Sequence, residues 1–234
     1  MNQENITIQN IESTNTKLPK ATLTEKTIAE ENLVVRINGT LPDFSTLGHE
    51  EKSQRAAEIK RQRASTNTSC SLLGRIRPDQ QIFHMLVDIG EGVVKSIENT
   101  DVEVNSSLSS FIPDALLITN SHDEHVKELP MLVNKVNDDG ESSKNLKIFC
   151  TLECRDQVIE KFPQLSEKTT NNNKVSFNII RPNETFEVGP FSVTPIIADH
   201  GDNSPPGSVI YIVKLLDKKI IIGWDFLSLP NADP

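Results

Sequence analysis

The densest group of side chains able to do chemistry in this chain of 234 residues lies between Thr119 and Pro130. Two histidines, an aspartate, a glutamate and an asparagine fall within residues 120–125, directly after the apolar run Leu116, Leu117 and Ile118. Neutral imidazole nitrogen and carboxylate oxygen are donors that suit zinc, manganese or iron(II). A buried strand that hands the chain to such a turn can present these donors to a divalent cation at its end. For His122, Glu124 and His125 together, metal binding is favoured over a plain helix start capped by Ser121 or Asp123. Asp123 is read as a cap, and Asn120 better as a hydrogen-bonding turn residue than as a ligand.

Three other apolar strands finish in the same way. Asp88 follows Leu86 and Val87 and precedes Gly90 and Gly92; His200 follows the run 191–198; Asp225 follows 219–222, Gly223 and Trp224. One histidine after a strand means little, because hydrogen-bonded structural histidines are common. Four such strand ends on one edge of a fold would form a cleft. Asp225 reads equally well as an ordinary turn residue. His49 and His84 read as structural or surface residues, Cys150 and Cys154 as packing or surface residues rather than a metal or redox pair, and Trp224 as a packing residue.

The elements that must position these groups follow from local pattern. Strands are predicted at 33–37, 70–76, 82–89, 115–119, 146–150 and 175–180, and then at Phe186 and Val188, 191–198, 209–216 and 219–222. Turns fall at Asn38-Gly39, Arg77-Pro78-Asp79, Gly189-Pro190 and Asp217-Lys218. Helices are predicted at 93–99, from Pro130 through Val136, and at 152–162. The stretch 49–64 has helical propensity with few apolar positions, as expected of an exposed helix or mobile insertion. About ten strands and three or four helices, mixing hairpins with helix crossovers, imply an α/β architecture of two mixed sheets with helices outside.

Composition narrows the class. Hydrophobic residues make up 36% of the chain, the net charge is -9, the pI near 5.1 and the mean hydropathy -0.36. An acidic surface argues against extended nucleic acid as a partner. No apolar run is long enough for a membrane span, and no signal segment opens the chain. Three cysteines make no disulfide framework. The expectation is a soluble, cytoplasmic protein with no membrane partner; a homodimer is compatible with it. Residues 1–30, rich in Asn, Thr, Glu and Lys, read as a disordered or loosely attached tail, leaving 31–234 as the folded domain.

The sequence Thr119-Asn120-Ser121-His122-Asp123-Glu124-His125, followed by Glu128-Leu129-Pro130, resembles the Thr-His-Xaa-His-Xaa-Asp-His signature of the metallo-β-lactamase superfamily of metal-dependent hydrolases. Asp88-Ile89-Gly90 resembles the superfamily's Asp-Xaa-Gly element, His200-Gly201 its third-histidine element, and Gly223-Trp224-Asp225 its bridging-aspartate turn. The resemblance implies an αββα sandwich and a hydrolase of phosphodiesterase type acting on a small phosphodiester or nucleotide. It implies one metal on His122 and His200 with weak help from Asn120, a second on Glu124 and His125, and Asp225 between them. Asp88 would orient a ligand histidine. Zinc is the expected metal, with manganese or iron as substitutes, and paired metals about 3.5–4 Å apart would acidify a water and clamp phosphoryl oxygens. The chain departs from the signature at Asn120 and Glu124, and has no counterpart of the superfamily's last histidine. The resemblance therefore also implies an incomplete second half, and leaves two alternatives: a metal-poor relative with a structural or binding role, and a thioester or lactone hydrolase.

Overall fold

Residues 115–118 carry no polar side chain because both of their faces are covered. Ala115 and Leu117 point into one core, Leu116 and Ile118 into another, and all four are fully buried. A strand sandwiched in this way needs apolar residues at every position, unlike the alternating strands of a sheet with one wet face. The computed structural model describes residues 33–39, 67–98, 112–138, 145–166, 174–199, 201, 204–224 and 226–228. The expected tail, the stretch 49–64, His200 and Asp225 lie outside the described residues.

The first sheet has six strands in sequence order: β1 (Leu33–Gly39), β2 (Ser69–Gly74), β3 (Phe83–Val87), β4 (Ala115–Leu117), β5 (Leu146–Cys150) and β6 (Val175–Ile179). β1, β2 and β3 are antiparallel, while β3 through β6 run parallel. Parallel neighbours require crossovers, which α1 (Val93–Glu98), α2 (Asp123–Val126), α3 (Leu129–Asp138) and α4 (Leu152–Lys161) supply. The second sheet has β7 (Phe186–Val188), β8 (Phe191–Ile197), β9 (Val209–Leu215) and β10 (Lys218–Ile222), in the order β10-β9-β8-β7. It is antiparallel throughout the described residues, so only the first sheet is mixed.

Two cores result. Leu72, Met85, Val87, Leu117 and Phe149 meet Phe191, Val193, Tyr211 and Val213 between the sheets. On the other face of the first sheet, Leu86, Leu116, Ile118 and Ile148 meet Val94 and Ile97 of α1, Val126 of α2, Leu132 and Val136 of α3, and Cys154 and Val158 of α4. All four α-helices among the described residues thus contribute to this one core, on one side of the sandwich. Cys150 and Cys154 are buried in it, in keeping with packing.

Two turns differ from expectation. Asn38 and Gly39 remain in β1, where a register shift absorbs them, and the Asn38 amide donates to Ser71 Oγ at 3.0 Å. His84, opposite on β3, is buried with Nε2 at 2.9 Å from the same hydroxyl, which makes it a structural histidine. The last hairpin turns at Leu216 and Asp217, one residue early, because Leu216 adopts a left-handed φ of 55° and Lys218 already pairs with Leu215.

Candidate metal centre

The backbone after β4 is clamped from three directions before it reaches the polar turn. Ile118 N–H donates to Phe149 O at 3.0 Å, Tyr211 OH donates to Ile118 O at 2.7 Å, and Val209 N–H donates to Thr119 O at 2.9 Å. From β3, Asp88 N–H reaches Leu117 O at 2.9 Å. The loop 118–122 is thus held by both sheets, and the side chains it carries inherit that rigidity.

Asp88 is the electrostatic centre of the arrangement. It is fully buried and takes a left-handed φ of 57°, a conformation in which aspartate is several-fold enriched. Its Oδ1 accepts from Thr119 N–H at 2.8 Å, and its Oδ2 accepts from Thr119 Oγ1 at 2.6 Å. The same Oδ2 faces His125 Nδ1 at 2.9 Å and accepts from Trp224 Nε1 at 2.7 Å. With the Asp88 oxygen as acceptor, His125 Nδ1 is the donor of that bond and carries the proton. In the neutral ring this leaves the lone pair on Nε2, the nitrogen that a metal would take.

Turning the chain from Asp88 towards α1 brings it against α2. Ile89 N–H donates to His125 O at 2.7 Å, and Glu128 N–H donates to Ile89 O at 3.0 Å. Gly90 passes so close that a Cβ there would lie 1.9 Å from Glu124 O, which only glycine tolerates. The Glu128 carboxylate then caps α1, accepting from Gly92 N–H at 2.7 Å and Val94 N–H at 2.8 Å.

His122 and Glu124 are partly exposed, with Nδ1 and Oε1 at 3.8 Å, beyond hydrogen-bond range of one another. Asn120 Oδ1 accepts from His122 N–H at 2.9 Å, so Asn120 closes the turn with the oxygen it would need for a metal. The donors of His122, Glu124 and a carboxylate-braced His125 suit a divalent cation, while Asn120 Oδ1 already accepts a backbone N–H. Among the described residues no three His, Cys, Asp or Glu side chains converge as a complete ligand group. Asp123 is not the cap of α2. The N-cap residue is His122, which makes no side-chain cap bond, and the Asp123 carboxylate instead takes Lys161 Nζ at 2.5 Å.

A cleft of about 450 Å³ opens beside His122, lined by Ser121, Gln157, Glu160, Lys161 and Pro205 as well. Lys161 spans it from α4 and also donates to Ser121 O at 2.8 Å, while Ser121 Oγ donates to Gln157 Oε1. Sequence reasoning missed these α4 residues, whose approach depends on how α4 packs after β5. It missed the Trp224 bond too, since nothing local marks a contact across 136 positions. No helix among the described residues is long and apolar enough to cross a membrane.

No protein-family model matches the sequence, and no curated protein matches it. Solved structures do match. The metallo-β-lactamase fold protein YhfI from Bacillus subtilis superposes with a TM-score of 0.52 at 16% identity, covering 81% of this chain and 60% of that one. A diphosphatase from the PhnP family gives a TM-score of 0.52 at 11% identity, covering 77% of this chain and 62% of its own. Unliganded yeast PDE1 gives 0.50 at 15%, covering 72% and 63%. The chain thus matches 60–63% of the length of these proteins. With its six-stranded mixed sheet packed on a four-stranded antiparallel one, and a polar loop at the end of β4, this chain has the metallo-β-lactamase fold.

Proposed function

We propose that the protein is a metal-dependent hydrolase that cleaves a small phosphodiester or nucleotide. The observation that carries this reading is the fully buried Asp88–His125 pair beneath the loop that presents His122 and Glu124. A buried histidine held by a carboxylate through Nδ1, on the same turn as further imidazole and carboxylate donors, supports reading His125 as a metal ligand. His122, Glu124 and His125 would hold the cation, zinc or manganese, joined by His200 and Asp225. When bound, the cation supplies a water acidic enough to attack at neutral pH and a Lewis acid for phosphoryl oxygen.

The residues of the chain do the rest. Asp88 fixes the His125 tautomer. The clamps on Ile118 and Thr119 keep the loop from relaxing when the donors are drawn together. Glu160 in the lining and Asp123 on Lys161 leave the cleft beside His122 without a surplus of positive charge, which argues against a long polyanion as substrate. The likeness to the PhnP-family diphosphatase favours phosphoester substrates over thioesters or lactones.

Hydrolysis of bis(4-nitrophenyl) phosphate by the zinc- or manganese-replete protein tests this. Turnover that disappears on chelation and in His122→Ala is expected. Metal-replete protein that leaves the diester intact contradicts the reading.

A further inference from the structure

Trp224 is the only tryptophan of the chain, and it stands immediately after Gly223 at the end of β10. Its side chain is more than apolar filling. The indole N–H ends on Asp88 Oδ2 at 2.7 Å, on the oxygen that also accepts from Thr119 Oγ1 and faces His125 Nδ1. Asp88 is fully buried, so its carboxylate depends on these protein donors for its hydrogen bonds. Three donors converging on one carboxylate oxygen, with Thr119 N–H on the other, fix both the plane and the rotation of the group. Asp88 cannot swing away from His125 without also giving up the indole.

The anchor at the other end is equally constrained. A Cβ on Gly223 would lie 2.8 Å from Ile210 Cγ2, so the backbone that delivers Trp224 is pressed onto β9. Ile222 pairs with Tyr211, whose hydroxyl holds Ile118 O at the base of the metal loop. The second sheet therefore reaches the Asp88–His125 pair by two routes, one through Tyr211 and one through Trp224.

From this geometry we infer that Trp224 is a positioning residue of the metal centre. It locks Asp88 so that Asp88 presents His125 with Nε2 towards the cation, and it makes the docking of β10 a condition for a competent site. The inference rests on the metal reading above and adds a residue to it. It also gives the protein one optical and one magnetic reporter joined to a ligand histidine by a single carboxylate.

The test uses the full chain labelled with nitrogen-15, which shows one indole N–H cross-peak. Expected are a shift of that peak in metal-free Asp88→Asn, a further shift of the wild-type peak during zinc titration, and zinc affinity about tenfold weaker in Trp224→Phe by calorimetry. The wild-type titration decides the matter even if Trp224→Phe folds poorly. An indole peak that saturating zinc leaves in place, or a folded Trp224→Phe with wild-type zinc affinity, overturns the inference while leaving the metal reading intact. A wild type that takes up no zinc overturns both.

Discussion

Asp88 and His125 are separated by 37 positions in sequence and by 2.9 Å in space, with neither side chain exposed to water. The pair joins the end of β3 to α2, and with Asp88 as acceptor the proton lies on His125 Nδ1. Asp88→Asn keeps the left-handed backbone, which asparagine also tolerates. It replaces one acceptor oxygen by an N–H group that faces other donors. Stability should fall by about 1–3 kcal/mol, and metal affinity by about 10- to 100-fold, measured by urea denaturation and calorimetry. A variant equal to wild type in both would show that the pair does not organise the loop.

Gly90→Ala probes the approach of the Asp88 loop to α2. The new methyl meets Glu124 O at 1.9 Å, Asn67 Cβ at 2.4 Å and Glu124 C at 2.6 Å, atoms in or next to the backbone that cannot swing aside. One of the two segments must shift, at a cost of about 1–3 kcal/mol. Because the clash separates the Asp88 loop from the segment that carries Glu124, metal affinity of the folded variant should fall together with stability.

Glu128 tests a capping interaction made at long range. Its two oxygens satisfy Gly92 and Val94 N–H groups at the start of α1. Glu128→Ala should cost about 0.5–2 kcal/mol, as loss of a helix cap does. Glu128→Gln, which keeps one acceptor oxygen, should lose less. Urea midpoints of the two variants measured side by side give the comparison.

Much of this architecture was legible in the sequence. All ten strands follow from apolar runs bounded by glycine, proline and polar turns, and the abrupt change from Ile118 to residues 120–125 marked the candidate site. What escaped was tertiary in origin. Leu216 takes a left-handed turn position usually given to glycine or asparagine, so the last turn came one residue earlier than its composition suggests. Asp123 has the type of a cap but is drawn off by Lys161 from α4. Trp224 has an apolar body and one donor, and only the fold shows where that donor ends.

Alkaline pH should unfold the protein through three buried acids. Burial holds the Tyr211 phenol protonated well above its ordinary 10.0, and its OH donates to Ile118 O. Burial, with the Asp88 charge second, does the same to Cys70; a hydrogen bond with Cys150, then burial, does it to Cys154, both relative to 9.0. All three pKa values are raised in the folded state, so their contribution is complete below the thiol range and is lost as the unfolded chain ionises above it. The urea midpoint should drop between about pH 8.5 and about pH 11, and Tyr211→Phe should flatten the upper part of that fall. A midpoint constant over this range would contradict the burial of these groups.

The central claim is that the loop after β4 is a metal site. Calorimetric titration of the metal-free full chain with zinc and with manganese tests it most directly, with His125→Ala as the comparison. The account predicts saturable uptake by the wild type that His125→Ala abolishes or weakens by at least about 10- to 100-fold. No uptake of either metal by folded wild-type protein, or equal uptake by His125→Ala, would contradict it.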